Sequence, residues 1–97
     1  MKKIKLEKSM MHEVEYVKNG KNSYDVMLRG KKIGYVQKNS SAVRDYWYAW
    51  TEVSLNVKLM ERSHNSIGSN WGSGKIDSTR GNAVYDFFFA NGNVKEI

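Results

Sequence analysis

A chain of 97 residues and 11.2 kDa has room for one small domain with a modest core. With no cysteine it holds no disulfide, thiol nucleophile or cysteine-based metal site, and no apolar run nears the roughly 20 residues that span a bilayer. The net charge of +6 comes wholly from residues 1–38, where ten basic side chains face four acidic ones.

The opening MKKIKLEKSMMHEVE is basic, but Lys5, Glu7 and Lys8 interrupt any apolar stretch, which argues against a signal peptide. Together with the missing cysteines this points to a reducing cytoplasm. Residues 1–11 read as a flexible arm of a single domain over residues 1–97.

The first clear unit is Glu13–Val17, then Asn19-Gly20, then Tyr24–Leu28. Asn-Gly between alternating apolar residues is a hairpin signal, because both tolerate positive φ. A second hairpin turns at Arg29-Gly30-Lys31-Lys32 and leads into Ile33–Gln37. Gly34 inside that strand suggests a bulge or a close backbone approach. Residues 38–45 read as a loop. The aromatic, β-branched run Tyr46–Val53 reads as a strand that extends through Leu55 and Val57. Trp47 and Trp50 have opposite parity, so one faces the core and the other does not.

The Ser/Asn/Gly-rich stretch 62–74 reads as a mobile loop. Trp71 inside it either anchors a partner or folds back onto the helix end. The helix is the best-defined element. Ser78 or Thr79 offers a hydroxyl cap, and Ala83, Val84, Phe87 and Phe88 make one apolar stripe. Asn91-Gly92 supplies a left-handed stop. Phe89 falls on a flank, partly exposed or covered by the N-terminal segment. The expected fold is α+β: an antiparallel β-meander of three to five strands with one C-terminal helix packed on one face.

Catalytic signatures are missing. His12 and His64 have no metal-ligand spacing, no nucleophile elbow is present, and Gly68, Gly72 and Gly74 lack the lysine of a phosphate loop. The chain therefore reads as a non-enzymatic binding protein with no cofactor and no metal. Lysines and arginine attract phosphates and aromatic rings stack bases, so Lys18, Lys21, Arg29, Lys31, Lys32 and Lys38 are the candidate nucleic-acid contacts. The two hairpin turns, however, sit at opposite ends of a shared strand, roughly 20 Å apart for six residues. Trp47, Tyr48, Arg62 and Trp71 are the candidates for a protein partner, because such residue types dominate interface hot spots. An unpaired edge strand allows a homodimer. Nothing indicates a membrane partner.

The order of Gly34-Tyr35-Val36, an aromatic strand ending Ala49-Trp50, a glycine-rich stretch and Ser78-Thr79-Arg80-Gly81-Asn82-Ala83-Val84 opening a helix carries a resemblance. Over about residues 24–90 it resembles the Thr-Arg-x-x-Ala junction of small sheet-plus-helix proteins of phages and prophages. It is also similar to the arm-binding domains of tyrosine recombinases, three strands and a helix that read DNA with the sheet. The chain departs from that pattern in having no glutamate at Gly81 or Asn82, one of which is usually glutamate in members, and in its extra N-terminal strand and longer loop. The resemblance implies a phage-related protein that engages nucleic acid or a nucleoprotein through a basic sheet surface. It equally allows an inhibitor that docks on a host defence complex of CRISPR or restriction type.

Overall fold

Arg29 and Gly30 both have positive φ, at 52° and 76°, which is the two-residue turn that matches strand twist. It joins two neighbouring strands at the centre of the main sheet. The computed structural model describes residues 2–59, 79–90 and 92–97, with the backbone of 65–67 and 70–72. In chain order the elements are β1 (Lys3–Lys5), a 3-10 turn (Lys8–Glu13), β2 (Val14–Gly20), β3 (Ser23–Leu28), β4 (Lys31–Ser40) and β5 (Asp45–Glu52). A 3-10 turn (Val53–Leu55), β6 (Val57–Lys58), β7 (Asn65–Ile67) and β8 (Asn70–Gly72) follow. α1 (Arg80–Val84) then runs into a π turn (Tyr85–Phe89), and β9 (Val94–Glu96) ends the chain.

Mixed α+β architecture with antiparallel pairing and a short C-terminal helix holds. The strand number does not: the described residues form a six-stranded sheet, β2-β3-β4-β5-β8-β7, and a three-stranded one, β1-β9-β6. Both are antiparallel throughout. The central meander β2 to β5 is the expected one. The second sheet is made of strands of two and three residues, too short to show a period in the sequence.

Several boundaries move for local reasons. The first hairpin turns at Lys21-Asn22, not at Asn19-Gly20, since Gly20 pairs with Ser23 and the register shifts between Lys18 and Gly20. Asn19 is spent otherwise: its Nδ2 donates to Asp25 Oδ1 at 2.6 Å, and its Oδ1 accepts from Ser23 Oγ. β4 runs on to Ser40, leaving a tight loop at 41–44 in which Ser41 Oγ accepts from the amides of Val43 and Arg44. β5 stops at Glu52 because Asn56 adopts a left-handed φ of 56°, which turns Val57 into the second sheet. Residues 3–5, expected within an arm, pair with β9 as β1, and Lys8–Glu13 packs on the π turn. In the 62–74 stretch, 65–67 and 70–72 pair as β7 and β8, and the rest lies outside the described residues.

The helix follows its sequence signals. Thr79 Oγ1 accepts from the Asn82 amide at 3.2 Å, so one orphan donor of the first turn is satisfied. Ala83, Val84, Phe87 and Phe88 are all buried against the sheet. Phe89 is buried too, at 1% exposure. Three consecutive phenylalanines spread over roughly 200° of a helix. No single sheet face covers that arc, and the N-terminal 3-10 turn, with Met10 and Met11 against the core, packs from another side. Gly92, at φ 73°, ends the element, and Asn93 Nδ2 donates to the Phe87 carbonyl at 2.8 Å. The core is Leu6, Val26, Leu28, Ile33, Val36, Ala49 and Val57 around the helix. No described helix is long and apolar enough to cross a membrane.

Candidate nucleic-acid interface

Register decides which side chains share a face of the six-stranded sheet. Val26 opposes Gly34, Tyr24 opposes Val36, and Val36 opposes Ala49. Of these, Val26, Gly34, Val36 and Ala49 lie under the helix. Extending the same rows outward brings Tyr16 and Lys18 of β2 and Lys38 and Trp47 of β4 and β5 onto the helix side. The opposite face carries Glu15, Asp25, Lys32, Tyr35, Gln37, Tyr48, Trp50 and Glu52.

On the helix side, beyond the end of α1, Tyr16, Tyr24 and Trp47 form a half-buried aromatic border to the core. The Tyr16 and Tyr24 rings meet edge to face at 6.3 Å, and Tyr24 and Trp47 lie 6.2 Å apart at 35°. Arg80, the first residue of α1, lays its guanidinium 3.9 Å from the Tyr16 centroid and 4.9 Å from that of Tyr24. Burial raises the Tyr16 phenol above its ordinary range, with Arg80 acting against that rise. Lys18 stands opposite Tyr24 and Lys38 opposite Trp47. Two strands and about two residues separate the lysines, which puts their Cα atoms roughly 12 Å apart. Lys38 pairs with Asp45 at 3.3 Å, and the Ser40 hydroxyl and Lys38 hold the Asp45 carboxyl below its ordinary value. The Lys38 amide donates to the Asn22 carbonyl at 2.7 Å, so the tip that carries Lys21 adjoins this end, as does the 41–44 loop with Arg44.

The other predicted cations are elsewhere. Arg29 and Lys31 flank the far turn, and Arg29 is tied to Glu13 by two hydrogen bonds of 2.8 and 3.1 Å. That bond lowers the Glu13 carboxyl from its ordinary value. Lys32 is on the opposite face, 3.4 Å from Asp25 Oδ1 and 4.5 Å from the Tyr35 centroid. Tyr48 shares that face, separated from Trp47 by the sheet. Arg62 lies outside the described residues, and of Trp71 only the backbone is described, paired with Thr51 in β8. So Lys18, Lys21 and Lys38 come together with Trp47, while Arg29, Lys31, Lys32 and Tyr48 do not join them. Sequence reasoning missed Arg80 as a member of this cluster. The sequence showed only that it follows a capping threonine; its seat over Tyr16 and Tyr24 comes from how α1 crosses the sheet.

The opposite face has its own order. Tyr35 and Trp50 stack at 5.2 Å and 24°, and Tyr48 continues the row 6.3 Å from Trp50 at 29°. The Tyr35 hydroxyl donates to Glu52 Oε1 at 2.8 Å. Burial, with that bond, raises the Tyr35 phenol, and burial alone raises that of Tyr48. Among the described residues of this face Glu15, Asp25 and Glu52 outnumber the one lysine, Lys32, so it repels phosphate.

His12 Nδ1 rests on the Ser9 carbonyl, and His64 lies outside the described residues. Among the described residues no three His, Asp or Glu side chains gather for a metal ion. Comparison of the chain with family models, curated proteins and solved structures gave no match.

Proposed function

We propose that this protein binds nucleic acid, without catalysis, through the helix-side surface formed by Lys18, Lys21, Lys38 and Arg80 beside Tyr24 and Trp47. The observation that carries the reading is the asymmetry of charge between the two sheet faces. Around Tyr24 and Trp47 the strands and helix contribute three cations against one carboxylate, Asp45, with Lys21 and Arg44 at the adjoining loops. Among the described residues the opposite face has three carboxylates and one lysine, itself paired. Phosphate contacts supply most of non-specific affinity, and aromatic rings add base stacking.

Fluorescence anisotropy with a labelled oligonucleotide tests this. Affinity falls steeply between 50 and 200 mM salt in the wild type. Lys18→Ala with Lys38→Ala weakens binding and flattens the salt slope by about two charges. Lys31→Ala with Lys32→Ala, at the far turn and the opposite face, leaves both nearly unchanged. Equal loss in the two double variants contradicts the assignment.

The row Tyr35, Trp50 and Tyr48 favours a second reading, docking on a protein. It is aromatic and its charges are largely paired, which matches hot-spot chemistry. An inhibitor of a host defence complex, the role that the phage resemblance allows, belongs to this reading. Association through that face responds weakly to salt and is lost in Trp50→Ala.

A further inference from the structure

We infer that the nucleic acid taken by this surface is single-stranded, with unpaired bases resting on the Tyr24 and Trp47 rings while Lys18 and Lys38 hold the flanking backbone. The inference rests on the proposed binding role and deepens it. Three features of the fold carry it.

The lysines and rings lie on the broad face of a sheet, not on a projecting element. From β2 to β5 the face is about 14 Å across, wider than the roughly 12 Å major groove, which admits a helix or a two-stranded ribbon. Among the described residues no helix is free to enter a groove either. α1 has five residues, and Ala83, Val84, Phe87, Phe88 and Phe89 of α1 and the π turn are all buried. Duplex DNA therefore touches this face only along its phosphates, and its stacked bases never reach a ring.

The rings are presented in a way that suits unpaired bases. Arg80 covers Tyr16 and Tyr24 from the helix side, and Tyr24 and Trp47 continue the series at 6.2 Å. Tyr24 and Trp47 are tilted by 35° and not stacked on each other, so each ring is a separate platform for an unpaired base, and every base has a π-face. The rings are fixed at their inner edges by packing on the core, so little side-chain freedom is lost on binding. Lys18 and Lys38 flank them across the strands.

The test compares labelled oligothymidine, oligouridine and a mixed-sequence duplex of equal length by fluorescence anisotropy at one low salt concentration. Both single strands bind at least about tenfold tighter than the duplex, the scale of one base stack. The DNA and RNA arms report whether the ribose hydroxyl matters. Trp47→Leu weakens single-strand binding by about tenfold and leaves duplex binding and the salt slope unchanged, whereas Trp47→Phe keeps most of the affinity. Circular dichroism of both variants checks that the fold persists. Should Trp47→Leu unfold, quenching of Trp47 fluorescence by oligothymidine, and not by duplex, in a protein carrying Trp50→Phe and Trp71→Phe reads the same contact. Duplex binding as tight as or tighter than single-strand binding overturns this inference while the proposed function stands, and moves the contact to the Lys21 tip. Failure of all three nucleic acids to bind overturns both.

Discussion

Gly34 sits directly beneath Phe88. A methyl group built on Gly34 would lie 2.4 Å from Phe88 Cζ and 2.4 Å from the Trp50 carbonyl oxygen. The helix reaches the sheet at this point because β4 offers it no side chain. Gly34→Ala therefore costs about 2–3 kcal/mol through overpacking, and thermal unfolding shows it as a marked fall in Tm. Shortening Phe88 does not rescue the variant, because the Trp50 carbonyl belongs to the backbone. A Gly34→Ala protein as stable as wild type contradicts the close approach.

Gly81 is the opposite case. It lies within α1, and a Cβ added there meets nothing within 4 Å. Gly81→Ala stabilises by about 0.5–1 kcal/mol, since alanine restricts the unfolded chain and suits a helix. The urea midpoint rises with the slope unchanged; a falling midpoint counts against the helical assignment.

Thr79→Ala removes the oxygen that accepts from the Asn82 amide. The expected loss is about 1 kcal/mol, with Thr79→Ser close to wild type. Arg80 follows the cap directly, so the same loss loosens its seat over Tyr16 and Tyr24. Alanine and serine variants with equal urea midpoints contradict the cap.

Acid sensitivity follows from Glu13 and Asp45. Both carboxyls are lowered in the folded state, Glu13 chiefly by its hydrogen bond from Arg29 and Asp45 chiefly by the Ser40 hydroxyl with Lys38. A depressed carboxyl stabilises the fold above its unfolded value and loses that contribution as pH falls through its folded one. The loss therefore begins near the ordinary values of 4.5 for Glu13 and 3.8 for Asp45 and proceeds below them. Urea midpoints between pH 6 and 2.5 fall in the wild type and fall less in Glu13→Gln. Both partners are exposed, so the difference is small and shrinks with added salt. Parallel pH curves contradict it.

How much of this was legible in the sequence depended on range. Signals confined to a few residues read true: a turn opening at Arg29-Gly30 (though Lys31 and Lys32 belong to β4), the Thr79 cap, the apolar stripe of the helix and the glycine demanded at Gly34. Asn19-Gly20 misled because a side chain can outbid a turn. Asn19 bonds to Asp25 and Ser23, and the turn moves two residues on. The small sheet was invisible, since β1, β6 and β9 gain their order from partners at the other end of the chain. The candidate site was legible by composition and not by place. Lys18 and Lys32 are alike in sequence, and only the strand register puts them on opposite faces.

The most direct test of the account is backbone amide NMR during titration with oligothymidine. The expected result is a contiguous set of shifted resonances at Lys18, Lys21, Tyr24, Lys38, Trp47 and Arg80, with those of Tyr35, Tyr48 and Trp50 unmoved beyond what the shared strands transmit. Shifts centred on Tyr35 and Trp50, or on the Arg29-Gly30 turn, contradict it.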